Sequence, residues 1–343
     1  MAERGPWLEG AWRTRGVVST LLLPLAAVYG AITALRRALF AWGVLATHRL
    51  PVPVVVVGNI TVGGTGKTPL VISLIEALQK AGLKPGVISR GYRGRYADHA
   101  AWAEVLTSDA GRFGDEIVLV RERTGVPAAV GKQRAQACRG LLAAHPLLDV
   151  LVCDDGLQHY GLARDLEIAV FDERGIGNGR LLPAGPLRES LARLRSVDAV
   201  VGNGVGKAEL AVLAAGARAQ PPCFHMELQA IVAYQLVDPS RRTPLASFQG
   251  QRLAAAAGIG APERFFATLR KAGLSFYSMA LADHFDYATN PFAGRPEDTL
   301  LITEKDAVKC RQMHDPRLWV VPVEAILEHS LVTLVLEKIH ARN

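Results

Sequence analysis

From residue 51 onward, short apolar runs alternate with stretches that have helical character. The apolar runs lie at residues 54–57, 86–89, 150–153, 168–171 and 199–201. This alternation is typical of a parallel sheet that is covered by helices. The pattern therefore predicts an α/β fold whose first domain is a doubly wound parallel sheet.

The alternation stops at residues 223–250, where two β-like runs flank Asp238, Pro239 and Ser240. These three residues have the composition of a turn, which indicates a β-hairpin. Strand, turn and helix signals then resume from residue 253, and a final helix is expected from Glu324. We therefore predict a second, smaller α/β domain that a β-hairpin linker joins to the first. The predicted limits are an N-terminal segment at 1–50, the core at 51–224, the linker at 225–250 and the smaller domain at 251–343.

The composition is that of a folded protein: half of the 343 residues are hydrophobic and 21% are charged. Four widely spaced cysteines, Cys138, Cys153, Cys223 and Cys310, show neither zinc-site spacing nor the density of a disulfide scaffold. The net charge of +7 favours a polyanionic partner, unless it reflects an arginine-rich proteome. Because basic and aromatic residues are not interleaved on any element, we do not expect nucleic acid as a partner.

A glycine-rich loop lies between the first apolar run and the helix that follows it. In such a loop, backbone N–H groups bind phosphate oxygens, a lysine reaches the outer phosphates, and a hydroxyl binds Mg²⁺. One departure is Thr61, which stands where the pattern G-x-x-x-x-G-K-[ST] begins with glycine. We expect a P-loop that binds ATP, with Lys67 catalytic and Thr68 a metal ligand. The expected nucleotide-binding residues are Thr61, Val62, Gly63, Gly64, Thr65, Gly66, Lys67 and Thr68.

Two aspartates follow another buried strand, in the sequence DVLVCDDGLQH. A nucleoside triphosphatase site needs an acidic residue at the end of such a strand, placed to reach the metal. Asp154 is therefore the second expected Mg²⁺ ligand, with Asp155 beside it. Without the phosphate loop, the same pair would indicate only a turn.

The N-terminal residues 16–35 carry no charge and are flanked by Arg13, Arg15, Arg36 and Arg37. A helix of this length spans ~30 Å, about one hydrocarbon core. The alternatives are a spanning helix, a helix in the membrane interface, a cleaved signal peptide and a buried core helix. Export would separate the phosphate loop from ATP. The flanking arginines, with Trp7, Trp12 and Trp42, favour the interface.

Phosphoryl transfer to an alcohol also requires a group that accepts the hydroxyl proton. Asp115 and Glu116 precede an apolar helical run, so Asp115 is either this base or a helix N-cap. His284 lies in the second domain and is either structural or a partner of that carboxylate across a cleft. From the residues alone, both choices stay open.

The motifs together resemble those of the tetraacyldisaccharide 4′-kinases, enzymes of the lipid A pathway in Gram-negative bacteria. Nearly the whole chain takes part in the resemblance, which rests on VGNITVGGTGKTP, SRGYRG, GDE, DDGLQH, LLPAGPLRE, DHFDY and TEKDAVK. The family resemblance implies ATP-dependent phosphorylation of the 4′-hydroxyl of a tetraacylated glucosamine disaccharide 1-phosphate, which gives lipid IVA. It also implies a location at the cytoplasmic face of the inner membrane.

The resemblance further implies roles for individual residues. Lys67 and Thr68 would bind the nucleotide phosphates and Mg²⁺, Asp154 would complete the metal site, and Asp115 would act as the base with His284. Further residues match positions that the family places around the cleft: Tyr92, Glu116, Arg134, Asp155, Gln158, His159 and Glu189.

An alternative function is a membrane-associated P-loop ATPase or metallochaperone that uses the nucleotide as a switch. ATPases of that class carry an additional lysine where this chain has Val62, which argues against it. TEKD, residues 303–306, also differs from the guanine-binding motif [NT]-K-x-D because its lysine is one position late. We therefore expect a lipid substrate and a membrane surface as partners, and no obligate protein partner.

Overall fold

The computed structural model describes residue 10 and residues 12–92, 94–95, 102–218, 220–283 and 285–342. The strands are β1 (Val54–Gly58), β2 (Pro85–Ser89), β3 (Ala103–Glu104), β4 (Ala128–Val130), β5 (Val150–Asp154), β6 (Leu166–Asp172), β7 (Ala199–Asn203), β8 (Cys223–Gln229), β9 (Val232–Gln235), β10 (Arg242–Pro244), β11 (Leu253–Ala257), β12 (Tyr277–Ala280), β13 (Thr299–Thr303), β14 (Leu318–Val321) and β15 (Glu324–Leu327). The helices are α1 (Val17–Leu21), α2 (Leu23–Ala41), α3 (Lys67–Lys80), α4 (Ala110–Phe113), α5 (Asp115–Thr124), α6 (Arg134–Ala144), α7 (Lys207–Gly216), α8 (Pro262–Lys271), α9 (Glu304–Cys310) and α10 (His329–His340).

The larger sheet has the strand order β15-β8-β7-β6-β1-β5-β2-β4-β3. Neighbours from β8 to β4 pair in parallel, whereas β15 and β3 are antiparallel edge strands. Strand β1 is central: Val55 and Val57 face one apolar cluster, and Val54 and Val56 face the other. A strand covered on both faces is apolar throughout, which explains its run of valines. The predicted doubly wound sheet is confirmed.

The smaller sheet has the strand order β10-β9-β14-β13-β11-β12. Its strands β11 to β14 pair in parallel, and β9 and β10 form an antiparallel edge. The predicted hairpin forms between β9 and β10, where the Asp238 carboxylate accepts a hydrogen bond from the Ser240 N–H at 3.1 Å. Because β8 belongs to the larger sheet, the structure divides the predicted linker 225–250 between the two sheets.

The last strand and helix return to the larger sheet. Strand β15 pairs with β8, and Leu331, Val335 and Ile339 of α10 are buried in the cluster that covers one face of that sheet. The sequence placed 251–343 in the smaller domain, whereas this strand and helix pack with the larger sheet. These side chains recur every four residues and form one apolar stripe, which the larger sheet buries. The division into folding units stays a prediction.

The N-terminal segment forms two helices rather than the continuous helix expected over 16–35. Leu22 separates α1 from α2, and Pro24 lies in the first turn of α2, where its missing N–H breaks no helical bond. Helix α2 has 19 residues and is long and apolar enough to cross a membrane, judged by length and composition. Trp42 is exposed, as an interfacial tryptophan would be. Trp12 is instead buried and donates to the Pro183 carbonyl at 2.9 Å, and Trp7 lies outside the described residues.

One face of α2 packs on the segment 181–189. The Tyr29 hydroxyl donates to the Arg188 carbonyl at 2.9 Å. A side chain at Gly30 would begin 2.7 Å from the end of the Leu181 side chain, so α2 approaches this segment closely. The opposite face leaves a row of large apolar side chains exposed: Leu25, Val28, Ile32 and Leu35. A fully buried core helix is therefore excluded for α2.

Candidate functional site

The glycine-rich loop leaves the carboxyl end of β1 and enters α3 at Lys67. Gly66 has a φ of 89°, in the left-handed region that favours glycine, and a side chain there would begin 2.5 Å from the Asn203 amide. The Asn203 side chain donates to the Thr65 carbonyl at 3.2 Å and so supports the loop from the end of β7. Thr61, at the first loop position, forms an antiparallel bridge with Leu187.

Lys67 lies between Asn59 and the aspartates that follow β5. Its Nζ donates to the Asn59 Oδ1 at 3.2 Å and lies 3.5 Å from the Asp155 Oδ1. Thr68, the next helical residue, is buried. The loop therefore places the Lys67 ammonium group beside the aspartates that follow β5. Asn59 was missed, although its position between β1 and the loop is a usable signal.

The two aspartates experience opposite environments. Burial, followed by the charge of Glu116, raises the pKa of Asp154 to about 7. Burial would also raise the pKa of Asp155, but Lys67 and Arg188 outweigh it and lower this pKa to about 2. Arg188 contacts both carboxylate oxygens of Asp155, at 3.0 and 3.1 Å.

The environment of Asp154 is suited to a cation. Its Oδ1 atom is buried and has no hydrogen-bond partner among the described residues. A divalent cation would satisfy such an oxygen and favour the ionised carboxylate. The position at the end of β5, beside the phosphate loop, thus fits the predicted Mg²⁺ site.

The polar side chains of Gln158, Tyr160 and Glu189 form a network next to Asn59. The Gln158 amide donates to the Asn59 carbonyl and to a Glu189 carboxylate oxygen, both at 3.0 Å. The Tyr160 hydroxyl also donates to Glu189, which is buried. The Arg188 guanidinium lies 3.5 Å from the side-chain oxygen Oε1 of Gln158. Because Arg188 also contacts Asp155, the network is continuous with Asp155.

Arg134 and His159 meet beneath the aspartates. The Arg134 backbone N–H donates to His159 Nε2 at 3.3 Å, and its guanidinium donates to the Gly131 carbonyl at 2.7 Å and to the Asp154 carbonyl at 3.5 Å. Burial, together with the positive charge of Arg134, lowers the pKa of His159 to about 4. His159 is therefore neutral near pH 7 and accepts a hydrogen bond through Nε2.

Asp115 and Glu116 begin α5, and Asp115 is buried. The N-cap is Gly114, so the interpretation of Asp115 as the cap is wrong. Both carboxylates instead lie in the first helical turn, where the helix dipole favours negative charge. The Tyr92 carbonyl lies 2.8 Å from the position that a Gly114 side chain would take, so the Tyr92 loop packs directly before Asp115.

The smaller domain also reaches this region. The Lys305 Nζ is 2.5 Å from the Glu116 Oε1, and the Arg264 guanidinium is 2.8 Å from the buried Asp172 carboxylate. Arg264 also donates to the Gly64 carbonyl of the phosphate loop at 3.3 Å. Neither cation was selected from the sequence. His284, the predicted partner of Asp115, lies outside the described residues.

A family model described as tetraacyldisaccharide-1-P 4′-kinase matches residues 18–340. The chain belongs to this family. A tetraacyldisaccharide 4′-kinase of Janthinobacterium sp. (strain Marseille) is 50% identical over 348 residues, which cover 98% of this chain and 96% of the relative. The enzyme of the same name from Bordetella petrii is 48% identical over 331 residues, which cover 95% and 93% of the two chains.

A solved structure has a similar fold. It is the LpxK of Aquifex aeolicus in complex with ATP, with a TM-score of 0.76 and 27% identity, covering 94% of this chain and 100% of that one. The family that the motifs indicated is therefore confirmed, and so is the α/β fold class.

Proposed function

We propose that this member of the family transfers the γ-phosphate of ATP to the 4′-hydroxyl of a tetraacylated glucosamine disaccharide 1-phosphate. The product is the lipid IVA of lipid A biosynthesis. The relatives at about half identity carry the name of this activity, and the Aquifex structure contains ATP. The observation that supports the proposal best is the single cluster formed by Lys67, Asp154, Asp155 and the start of α5, at the carboxyl edge of the larger sheet.

The residues of the loop bind and orient the nucleotide. Its N–H groups at the start of α3 face the phosphates, and Lys67 neutralises their charge. Thr68 and Asp154 would hold Mg²⁺, which supplies positive charge to the phosphate oxygens when it is bound. Arg188 keeps Asp155 ionised, and Asp155 in turn keeps Lys67 directed towards the loop.

We assign the acceptance of the hydroxyl proton to Asp115. Asp115 is buried at the start of α5, beside Glu116, and its charge interacts with that of Lys305. Asp115 therefore belongs to the same charged cluster as the phosphate loop. His284 remains the predicted partner of Asp115. Tyr92, Arg134, Gln158, His159 and Glu189 are assigned to the walls of the cleft.

A substrate with four acyl chains requires access to a membrane, and α2 offers such a surface. Its apolar row is exposed, whereas the Tyr29 hydroxyl of the same helix bonds to the Arg188 carbonyl. The Arg188 side chain contacts Asp155, so Arg188 connects α2 to the phosphate site. We propose that α2 lies on or in the cytoplasmic face of the inner membrane and brings the sugar head group to the cleft.

The function is tested by incubating the purified protein in detergent micelles with γ-labelled ATP, Mg²⁺ and tetraacyldisaccharide 1-phosphate. Label should move to a lipid product, and Lys67→Ala should abolish this transfer because the phosphates lose their cation. Asp115→Ala should lower turnover strongly while ATP affinity stays nearly intact. Lys80→Ala, at the other end of α3, is the matched control and should behave like the wild type.

The competing function gives a different result in the same assay. A P-loop ATPase switch would release label only as inorganic phosphate, regardless of the lipid, and that result would refute the kinase assignment. Equal losses of ATP affinity in Lys67→Ala and Asp115→Ala would refute the role of Asp115.

A further inference from the structure

Helix α9 of the smaller domain packs against α5, the helix that begins with Asp115 and Glu116. The Lys305 Nζ lies 2.5 Å from the Glu116 Oε1. The two side chains are only 26% and 33% exposed, so this ion pair is largely screened from solvent. The lysine belongs to the TEKDAVK motif of the family resemblance, but the sequence analysis assigned no role to Lys305 itself.

Several carboxylates meet in this cluster, and Arg188 is already engaged by one of them, Asp155. Lys67 is engaged by Asn59 and Asp155. The charge of Lys305 is the main cause that lowers the pKa of Glu116 below its usual range, despite burial. Burial opposes the charge on Lys305, but Glu116 and Asp115 outweigh it and raise the pKa of Lys305. Both partners of the ion pair are therefore charged at neutral pH.

The docking of α9 does not depend on Lys305 alone. Further along α5, Arg123 pairs with Glu304 at 2.8 Å, and Glu122 pairs with Arg311. These pairs lie near the carboxyl end of α5, whereas Lys305 contacts its first turn. The contact of Lys305 can therefore be separated experimentally from the packing of the two helices.

We propose that Lys305 is a positioning residue for phosphoryl transfer. It holds the Glu116 carboxylate, and with it the first turn of α5, so that the adjacent Asp115 keeps the orientation needed at the acceptor hydroxyl. The proposal rests on the proposed kinase function. It follows that the larger sheet alone does not form a complete site, because one of the residues that order it comes from the smaller domain.

The test compares full-length Lys305→Met, Lys305→Arg and Arg311→Gln in the radiolabel transfer assay, with ATP and lipid varied separately. Lys305→Met removes the charge but keeps a side chain of similar length. It should lower kcat about 10- to 100-fold, since small misplacements of reacting groups have effects of this size. The KM for ATP should stay close to the wild-type value because the loop is intact, and Lys305→Arg should restore most of kcat.

Arg311→Gln is the matched control, because it removes another ion pair to α5, made by the residue that directly follows α9. It should keep the wild-type kcat, and thermal melting should show that all variants are folded. A double-mutant cycle with Glu116→Gln tests the route of the effect: Lys305→Met should have a much smaller effect when Glu116 has lost its charge.

The proposal would be overturned by a kcat of Lys305→Met equal to that of Arg311→Gln, or by an effect of Lys305→Met that adds fully to that of Glu116→Gln. A Lys305→Arg variant as slow as Lys305→Met would also overturn it. Failure of the kinase function itself is distinguishable, because the wild-type protein would then transfer no label to lipid.

Discussion

The exposed apolar row on α2 leads to a quantitative prediction for membrane binding. Leu25, Val28 and Ile32 are 60%, 59% and 61% exposed, and they lie on the face of α2 that points away from the segment 181–189. We consider a variant in which all three are replaced by serine. Since these side chains contribute little to the packed core, the variant should keep its fold.

The magnitude follows from the exposed area. Full burial of a leucine, valine or isoleucine side chain is worth about 2 kcal/mol. If the exposed six-tenths of each side chain enters the bilayer, each contributes about 1.2 kcal/mol, and the three together contribute about 3.5 kcal/mol. At about 1.4 kcal/mol per factor of ten, the triple variant should bind membranes about 300-fold more weakly.

The measurement is co-sedimentation of the purified protein with vesicles of zwitterionic and anionic lipids, over a range of lipid concentration. Val212→Ser is the control, because Val212 is 73% exposed on α7 and has no role in the proposed surface. Equal vesicle binding by the triple variant and the wild type would refute the reasoning. So would an equal loss in Val212→Ser, since the effect would then be general to exposed apolar residues.

Three further perturbations test the phosphate loop and the core. Gly66→Ala should abolish ATP binding in a calorimetric titration, because the left-handed φ and the Asn203 amide 2.5 Å away leave no room for a side chain; normal binding would contradict this packing. In the wild type, the buried Arg193 guanidinium lies 2.5 Å from the Glu167 carboxylate, and Glu167→Leu removes this main partner. The free energy of unfolding in urea should fall by about 3–5 kcal/mol, and a change below about 1 kcal/mol would contradict the importance of this buried ion pair. Arg264→Gln should raise the KM for ATP in the transfer assay because the loop loses a contact from the smaller domain; an unchanged KM would show that this contact does not order the loop.

The parts of the candidate site that the sequence predicts depend on contiguous residues. The buried strand β1, the glycines and Lys67 follow one another within 14 residues of chain, so their chemistry is readable locally. Asp154 could be placed because carboxyl ends of parallel strands share one edge of a sheet. His284 and the individual role of Asp115 remain predictions.

The parts that the sequence did not locate depend on contacts between distant segments. Glu116 and Lys305 are 189 positions apart, and neither residue type indicates its partner. The contact of Arg188 with Asp155 was not predicted for the same reason, although Arg188 lies inside a motif that helped to indicate the family. The N-cap interpretation of Asp115 was wrong because the helix begins at Asp115 and Gly114 is the cap. The backbone conformation sets this boundary, and the sequence does not show it.

By itself, the sequence determined the alternation of strands and helices, the phosphate loop and the family, because hydrophobic period and motif chemistry are properties of neighbouring residues. Tertiary structure alone decided that α10 returns to the larger sheet, that α2 presents its apolar row outward, and that Lys305 completes the cluster around Glu116. Each of these depends on which surfaces pack together, and an apolar stripe or a charged side chain does not specify its partner. The phosphate loop is therefore readable from neighbouring residues, whereas the ion pair between Lys305 and Glu116 depends on tertiary packing.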